Sequence, residues 1–360
     1  MSDIAVVIGT RPETVKMAPV IKALQKRKMG FCFIHTGQHY DYNMSREFIE
    51  VLNLPNPDYS FELKNHAPAA QIGEMITKLE KVLSRVNSKI LLVQGDTNTM
   101  LASALTGVKL GIRVGHIEAG LRSYDWRMPE EHNRRMVDHV SDLLFTPTEI
   151  AKRNLHDEHV YGEIYVTGNT VVDAVLQHMS IAEKNSDVMS KILFREEEYA
   201  LVTIHRVENV DEPRTLKDLI SALLNSPVPI VFLVHPRTMS RLKQFNLYDN
   251  LANSKNIQLL PPANYLDFLV LMKHCRLILT DSGGIQEEAT VPSIRKFVLV
   301  LRFSTERPEA VEAGFANIVG TDRDNILRAL NDSLNKKLEL PTASPFGDGR
   351  ASERIVRIIK

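Results

Sequence analysis

The chain has 360 residues, more than one ordinary hydrophobic core organises, so two domains are the default. Its 44 Lys+Arg balance 44 Asp+Glu, which leaves no overall field to attract nucleic acid or an anionic membrane. Any bound anion must therefore be held by a local site.

The longest apolar stretches, such as residues 298–301, fall far short of the ~20 needed to span a bilayer, so no membrane partner is expected. The opening Met1-Ser2-Asp3-Ile4 has no basic region ahead of an apolar core, which argues against a signal peptide. Cys32 and Cys275 stand far apart inside apolar runs, which suits buried thiols in a reducing cytoplasm. Neither has zinc-ligand spacing. His156 and His159 could share a helix face but lack neighbouring cysteines, so a surface role is expected and no metal site.

Short β-rich runs alternate with helical periodicity along the whole chain, the pattern of parallel sheets with crossover helices. The first series of strands falls at residues 5–8, 31–35, 90–94, 113–116, 143–146 and 164–167, with helices at 15–28, 45–52, 69–86 and 99–110. A second series of strands falls at 200–204, 230–234, 257–260, 277–279, 298–301 and 318–319, with helices at 215–224, 265–273 and 325–334. Two doubly wound α/β domains, each about half the chain, fit this better than one very large sheet. The join is expected near Gly168-Asn169-Thr170 and the charged stretch 184–198.

Open parallel sheets bind ligands beyond the carboxyl ends of their strands, so the loops there carry the functional information. The first is Gly9-Thr10-Arg11-Pro12-Glu13, with Pro12 set to start a helix. It is not a Gly-x-Gly-x-x-Gly turn, and His35-Thr36-Gly37-Gln38-His39 ends the second strand without an acidic residue. A bound nicotinamide cofactor is therefore not expected. Arg11 is placed either to clamp a phosphate or to cap a neighbouring helix.

Gln94-Gly95-Asp96-Thr97-Asn98 and His116-Ile117-Glu118-Ala119-Gly120-Leu121-Arg122 each put a carboxylate at a strand end. Asp96 has the bland alternative of a helix N-cap. Glu118, between Ile117 and Ala119, is a charge at an apolar strand end, and such groups concentrate at active sites. Met128-Pro129-Glu130-Glu131-His132-Asn133-Arg134-Arg135 offers helical ion pairs Glu130 to Arg134 and Glu131 to Arg135; the same helix start could aim one glutamate at a substrate while an arginine holds an anion.

In the second half, Thr203-Ile204-His205-Arg206 and Val234-His235-Pro236-Arg237 each place a histidine after a strand. The run Thr280-Asp281-Ser282-Gly283-Gly284-Ile285-Gln286-Glu287-Glu288-Ala289 reads as strand, glycine turn and helix start. That is a way to present backbone N–H groups to a phosphate, with Glu288 in reach of an attached sugar. Arg302-Phe303-Ser304-Thr305-Glu306-Arg307-Pro308-Glu309 adds a dense charged loop.

Taken together, the Gly9–Glu13, Gly95–Thr97, His116–Arg122, Pro129–Arg134, Asp281–Glu288 and Thr305–Glu309 motifs, in this order and spacing, resemble the non-hydrolysing UDP-N-acetylglucosamine 2-epimerases over nearly the whole chain. The resemblance implies the fold of B-type glycosyltransferases: two Rossmann-like domains, 1–168 with 346–360 and 169–345, with a UDP-sugar in the cleft between them and the last helix packed on the first domain. It implies a cytoplasmic homodimer that converts UDP-GlcNAc to UDP-ManNAc without an external cofactor, in the supply of sugars for cell-surface polysaccharides. UDP is eliminated to 2-acetamidoglucal and added back with the opposite C2 configuration.

Carried over by motif, Asp96, Glu118, Glu130 and His205 match catalytic positions. Arg11, Arg134, His235, Ser282, Gly283, Gly284, Glu288 and Arg307 match substrate-binding ones, and Gln38 and His39 an allosteric pair. A hydrolysing epimerase, a glycosyltransferase of the same fold and an inactive UDP-sugar sensor are the rival readings. One departure concerns Thr290-Val291-Pro292-Ser293-Ile294-Arg295-Lys296-Phe297, which is two residues longer than the family pattern, with Arg295 in place of a helix-ending glycine and Phe297 in place of proline. The expectation is a reshaped helix end without a left-handed stop.

Overall fold

The computed structural model describes residues 3–38, 49–65, 67–336 and 339–360. His39 and part of the helix expected at 45–52 lie outside the described residues. The chain divides into two compact units, residues 1–174 with 346–360 and residues 175–345.

In the first unit the order is β1 (Ile4–Ile8), α1 (Arg11–Lys26), β2 (Phe31–His35), β3 (Tyr59–Ser60), α2 (Pro68–Val86), β4 (Ile90–Gln94), α3 (Asn98–Lys109), β5 (Arg113–Ile117), α4 (Pro129–Val140), β6 (Leu143–Thr146), α5 (Glu149–Asp157) and β7 (Glu163–Val166). Its parallel sheet runs β3-β2-β1-β4-β5-β6-β7. Both faces are covered, so the strands read as continuous apolar runs: Ala5, Val7, Leu91 and Val93 pack one way with α2 and α3, and Val6, Ile8 and Leu92 the other way with α1.

Helix α6 (Thr170–Asn185) fills the span where the sequence suggested a join, and the division falls inside it. The second unit continues with β8 (Ala200–Thr203), α7 (Val207–Val210), α8 (Pro213–Leu224), β9 (Ile230–Leu233), α9 (Pro236–Gln244), α10 (Tyr248–Ala252), β10 (Ile257–Leu260), α11 (Tyr265–His274), β11 (Leu277–Thr280), α12 (Gly283–Glu288), β12 (Val298–Val300), α13 (Pro308–Glu312), β13 (Ala316–Ile318) and α14 (Arg323–Asn335). Its parallel sheet runs β10-β9-β8-β11-β12-β13. The last helix, α15 (Ala351–Ile358), belongs to the first unit, where Ile355, Val356 and Ile359 join the core beside Met17, Ile21 and Leu24 of α1. Asp173 holds its start by accepting from Ala351 N (3.1 Å) and from Ser352 N and Oγ (2.9 and 2.6 Å).

In each sheet the first strand sits inside, flanked by the second and fourth of its own series, so each has one point where the strand order reverses. In open parallel sheets ligands bind beyond the carboxyl ends of the strands at such a point. In the first unit the loops concerned follow β1 and β4, and in the second they follow β8 and β11.

Among the described residues no helix is long and apolar enough to cross a membrane. Cys32 and Cys275 are buried free thiols, and burial pushes them up to about 11 and about 12. His156 and His159 do not share a helix face. Helix α5 ends at Asp157, and His159 turns the chain with φ +54°.

Candidate active site

In the first unit two of the acids expected from the sequence, Asp96 and Glu118, stand at adjacent strand ends, each met by a cation. Asp96 follows β4, and Arg134 on α4 grips it from two nitrogens, Nε at 3.1 Å and Nη2. Asn133 Nδ2 donates to the Asp96 carbonyl at 3.0 Å, so the helix fixes both backbone and side chain of this residue. Glu118 follows β5 with φ +70°, a conformation that costs a non-glycine residue about 1–3 kcal/mol. Its Oε2 accepts from Lys16 Nζ at 2.5 Å, Gln94 Nε2 at 3.0 Å and Asn169 Nδ2 at 3.4 Å. Lys16 and Glu118 are both nearly buried, and such a pair survives burial because each charge answers the other.

The helical pairing expected of α4 is half realised. Glu131 bonds Arg135 (3.1 Å) and Arg134 (3.0 Å), and it accepts from Ser123 N and Oγ at 2.9 and 3.0 Å. Burial pushes the Glu131 carboxyl up, but these donors outweigh it and hold the group below its ordinary value. Glu130, one residue earlier, is half-buried and has no ion pair among the described residues, because Arg134 is turned to Asp96 and Glu131 instead.

Beneath the first loop lies Glu13, a residue to which the sequence reading gave no role. It accepts from Gly9 N at 2.6 Å, Thr10 N at 3.1 Å and Thr97 Oγ1 at 2.5 Å, and so ties the turn after β1 to the turn after β4. The Thr-x-x-Glu spacing at Thr10–Glu13 is a capping-box signature and was a legible clue. Burial among neutral donors raises its carboxyl to about 7. Arg11 opens α1. Gln38, of the implied allosteric pair, has its Oε1 accepting from Thr99 N (2.9 Å) and Thr99 Oγ1 (2.7 Å) at the start of α3.

In the second unit the two histidines do meet, with ring centroids 5.8 Å apart. His205 is half-buried after β8, while exposed His235 caps α9 by accepting from Arg237 N at 3.2 Å. Asp281, at the end of β11, accepts from His205 N (3.2 and 3.0 Å), Arg206 N (2.9 Å) and Asn209 Nδ2 (3.0 Å), with His205 Nδ1 at 3.2 Å. Burial pushes this carboxyl up, but His205 and the backbone donors win and hold it below its ordinary value.

Ser282 then caps α12, with its N–H donating to Thr280 Oγ1 at 3.0 Å. A Cβ added at Gly283 meets Glu306 Oε1 at 2.5 Å, so any side chain there would have to push aside a carboxylate held by Arg302. At Gly284 nothing lies within 4 Å, and that face of the turn is open. Glu288, on the same helix, is buried.

Arg307 is buried and donates through Nε to Glu287 at 2.5 Å, while Arg302 pairs with Glu306 at 2.7 Å. The dense charged loop thus holds itself against α12. After that helix, Arg295 adopts φ +53°. The left-handed residue expected to be missing is present in arginine form, steadied by Nη2 donating to the Leu340 carbonyl at 2.6 Å.

Among the described residues no group of three His, Cys, Asp or Glu side chains is arranged to hold a metal ion. The first unit presents ion-paired carboxylates at its strand ends, and the second a glycine turn open at Gly284 with His205 nearby.

A family model described as UDP-N-acetylglucosamine 2-epimerase matches residues 22–360. The UDP-N-acetylglucosamine 2-epimerase of Methanocaldococcus jannaschii is 46% identical, over 99% of this chain and 98% of that protein. A crystal structure of UDP-GlcNAc 2-epimerase from the same organism, in complex with UDP-GlcNAc and UDP, superposes with a TM-score of 0.92 at 46% identity over 99% of each chain. The UDP-2,3-diacetamido-2,3-dideoxy-D-glucuronate 2-epimerase of Pseudomonas aeruginosa is 35% identical over 99% of each. The chain belongs to the UDP-N-acetylglucosamine 2-epimerase family, with its fold of two parallel α/β sheets.

Proposed function

We propose that the protein interconverts UDP-N-acetylglucosamine and UDP-N-acetylmannosamine without hydrolysis. The observation that carries this reading is the pair Asp96 and Glu118, two carboxylates at neighbouring strand ends, each held by a buried cation. The C2 proton of the sugar is a very weak acid, so its removal must be coupled to departure of UDP from C1 and served by a positioned base. The C–H electron pair forms the C1=C2 bond of 2-acetamidoglucal, and the C1–O pair leaves with the diphosphate. Re-addition with inverted C2 needs a proton donor on the other face of the ring, which explains why several carboxylates, Asp96, Glu118 and Glu130, are present.

Arg11, Arg134, Ser282, Gly283 and Gly284 serve the diphosphate in this reading, Glu288 the ribose, and His205 the departing phosphate. His235 lies beside His205 with its ring tilted, and Arg307 supports the turn through Glu287. The open face at Gly284 supports close approach of an anion to the backbone. That the Methanocaldococcus relative was crystallised with UDP-GlcNAc supports the choice of sugar. The test is to incubate the protein with UDP-GlcNAc and separate the products. UDP-ManNAc at equilibrium with substrate is the expected result, and stoichiometric UDP with free ManNAc would assign the hydrolysing reaction instead.

A further inference from the structure

Asp138 lies on α4 one turn beyond Arg134 and is completely buried. Three groups converge on it: His116 Nδ1 at 2.7 Å, Gly120 N at 3.2 and 3.3 Å, and Arg122 Nη1 at 2.7 Å. His116, also completely buried, reaches across and donates through Nε2 to the carbonyl of Gly95 at 2.9 Å.

Gly95 has φ +84° and Gly120 φ +83°, so both turns are held in the left-handed region, one just before Asp96 and the other just after Glu118. Arg122 is itself locked by Glu158, through Nε at 2.8 Å and Nη2 at 2.6 Å, and Glu158 also takes Arg135 at 2.6 Å. Since Arg135 and Arg134 both bond Glu131, and Arg134 bonds Asp96, the contacts close a ring: Asp96, Arg134, Glu131, Arg135, Glu158, Arg122, Asp138, His116 and back to Gly95.

We infer that Asp138, acting through His116 and Gly120, is the positioning residue that aims Asp96 and Glu118. One helix face then sets both loops: Arg134 fixes the Asp96 carboxylate and Asp138 fixes the peptide before it. The catalytic meaning of this inference rests on the reaction proposed above, while its geometric content does not.

The test compares Asp138→Asn and His116→Gln with Leu79→Ala, a core substitution in α2 of the same unit. Two readouts are taken: amide exchange of the segment 94–98, whose Gly95 N–H bonds the Ile117 carbonyl at 3.1 Å, and the kcat and KM of epimerisation. The expected result is at least tenfold faster exchange at 94–98 in both ring variants but not in Leu79→Ala. With it, kcat should fall 10- to 100-fold and KM stay within threefold. Exchange within threefold of the Leu79→Ala protein overturns the inference, as does a kcat that merely follows the fall in Tm. If Asp138→Asn does not fold, His116→Gln carries the test alone. If the parent protein shows no epimerisation, the reaction reading fails, and the amide exchange still decides the inference.

Discussion

Each sheet has one buried carboxylate pinning the two loops at its reversal point, and the two behave oppositely. Glu13 in the first unit accepts only from backbone N–H groups and a threonine hydroxyl, and burial lifts it to about 7. Asp281 in the second does the same work for the loops after β8 and β11. It has His205 beside it, which more than offsets the burial and keeps the carboxyl below its ordinary value. The difference lies in the donors and not in the depth: every donor favours the anion, but the neutral set at Glu13 does not offset its burial, whereas the set at Asp281, which includes His205, does. One reversal point is thus built to tolerate a proton and the other to exclude it.

The largest expected effect separates the proton transfer proposed for Asp96 from the UDP binding proposed for the glycine turn. Asp96→Asn should lower kcat by about 10²- to 10⁴-fold, the scale of a lost acid–base group, with UDP affinity within threefold of the parent. A comparable loss of UDP binding, read by titration calorimetry, would break the division of labour.

Next comes Asp281→Asn, which replaces an anion met by four donors. We expect unfolding stability to fall by about 2–4 kcal/mol at pH 5 and pH 8 alike, with UDP affinity at least tenfold weaker. Glu13→Gln should do the reverse. The folded Glu13 carboxyl keeps its proton up to about pH 7, whereas an unfolded one releases it near 4.5. The native state therefore binds more protons in between, and the contribution of Glu13, present in full below pH 4.5, is lost as pH rises through 7. Glutamine removes that loss: equal stability at pH 4.5 and up to about 3 kcal/mol more than the parent at pH 8, by urea unfolding. If both variants destabilise equally at pH 8, the contrast between the two carboxylates is wrong.

The glycine turn gives a third test. Gly283→Ala must displace Glu306 and should cost about 1–3 kcal/mol in stability as well as UDP affinity, whereas Gly284→Ala meets nothing and should weaken UDP alone. Equal thermal losses in the two would show that the open face is not open. Smallest of all, Arg295→Gly relieves a left-handed arginine but loses its bond to Leu340, so stability should change by less than about 1 kcal/mol with activity unchanged. A loss of activity would make the segment after α12 part of the site.

Much of this was legible before any coordinates. Strands at 31–35, 90–94 and 143–146 coincide with their apolar runs, because a strand buried on both faces leaves little room for interruption; the edge strand at 257–260 coincides too, although it is half-buried and carries Gln258. The two-residue β3 is too short to leave a pattern, and β13 begins two residues ahead of the run at 318–319, since register with Val298–Val300 decides the edge.

The site was legible where chemistry stands in contiguous motifs: Asp96, Glu118, His205 and the glycine turn all sit at strand ends. Their partners were not. Lys16 is one lysine in an amphipathic helix, Asp138 one acid three turns into another, and only folding brings either within 3 Å of its partner. Glu118 likewise gave no sign of its positive φ, which the surrounding loop imposes. Arg295 shows the limit of reading a missing glycine as a missing turn, because side-chain bonding can hold a left-handed residue that propensity disfavours.

The central claim, that carboxylates of the first unit move the C2 proton while UDP is eliminated and added back without hydrolysis, is tested most directly in heavy water. UDP-GlcNAc incubated with the protein in D₂O should give UDP-ManNAc carrying one deuterium at C2, with deuterium appearing in the recovered substrate as the reaction reverses. UDP-ManNAc formed without label at C2, or free ManNAc as the product, would contradict the account.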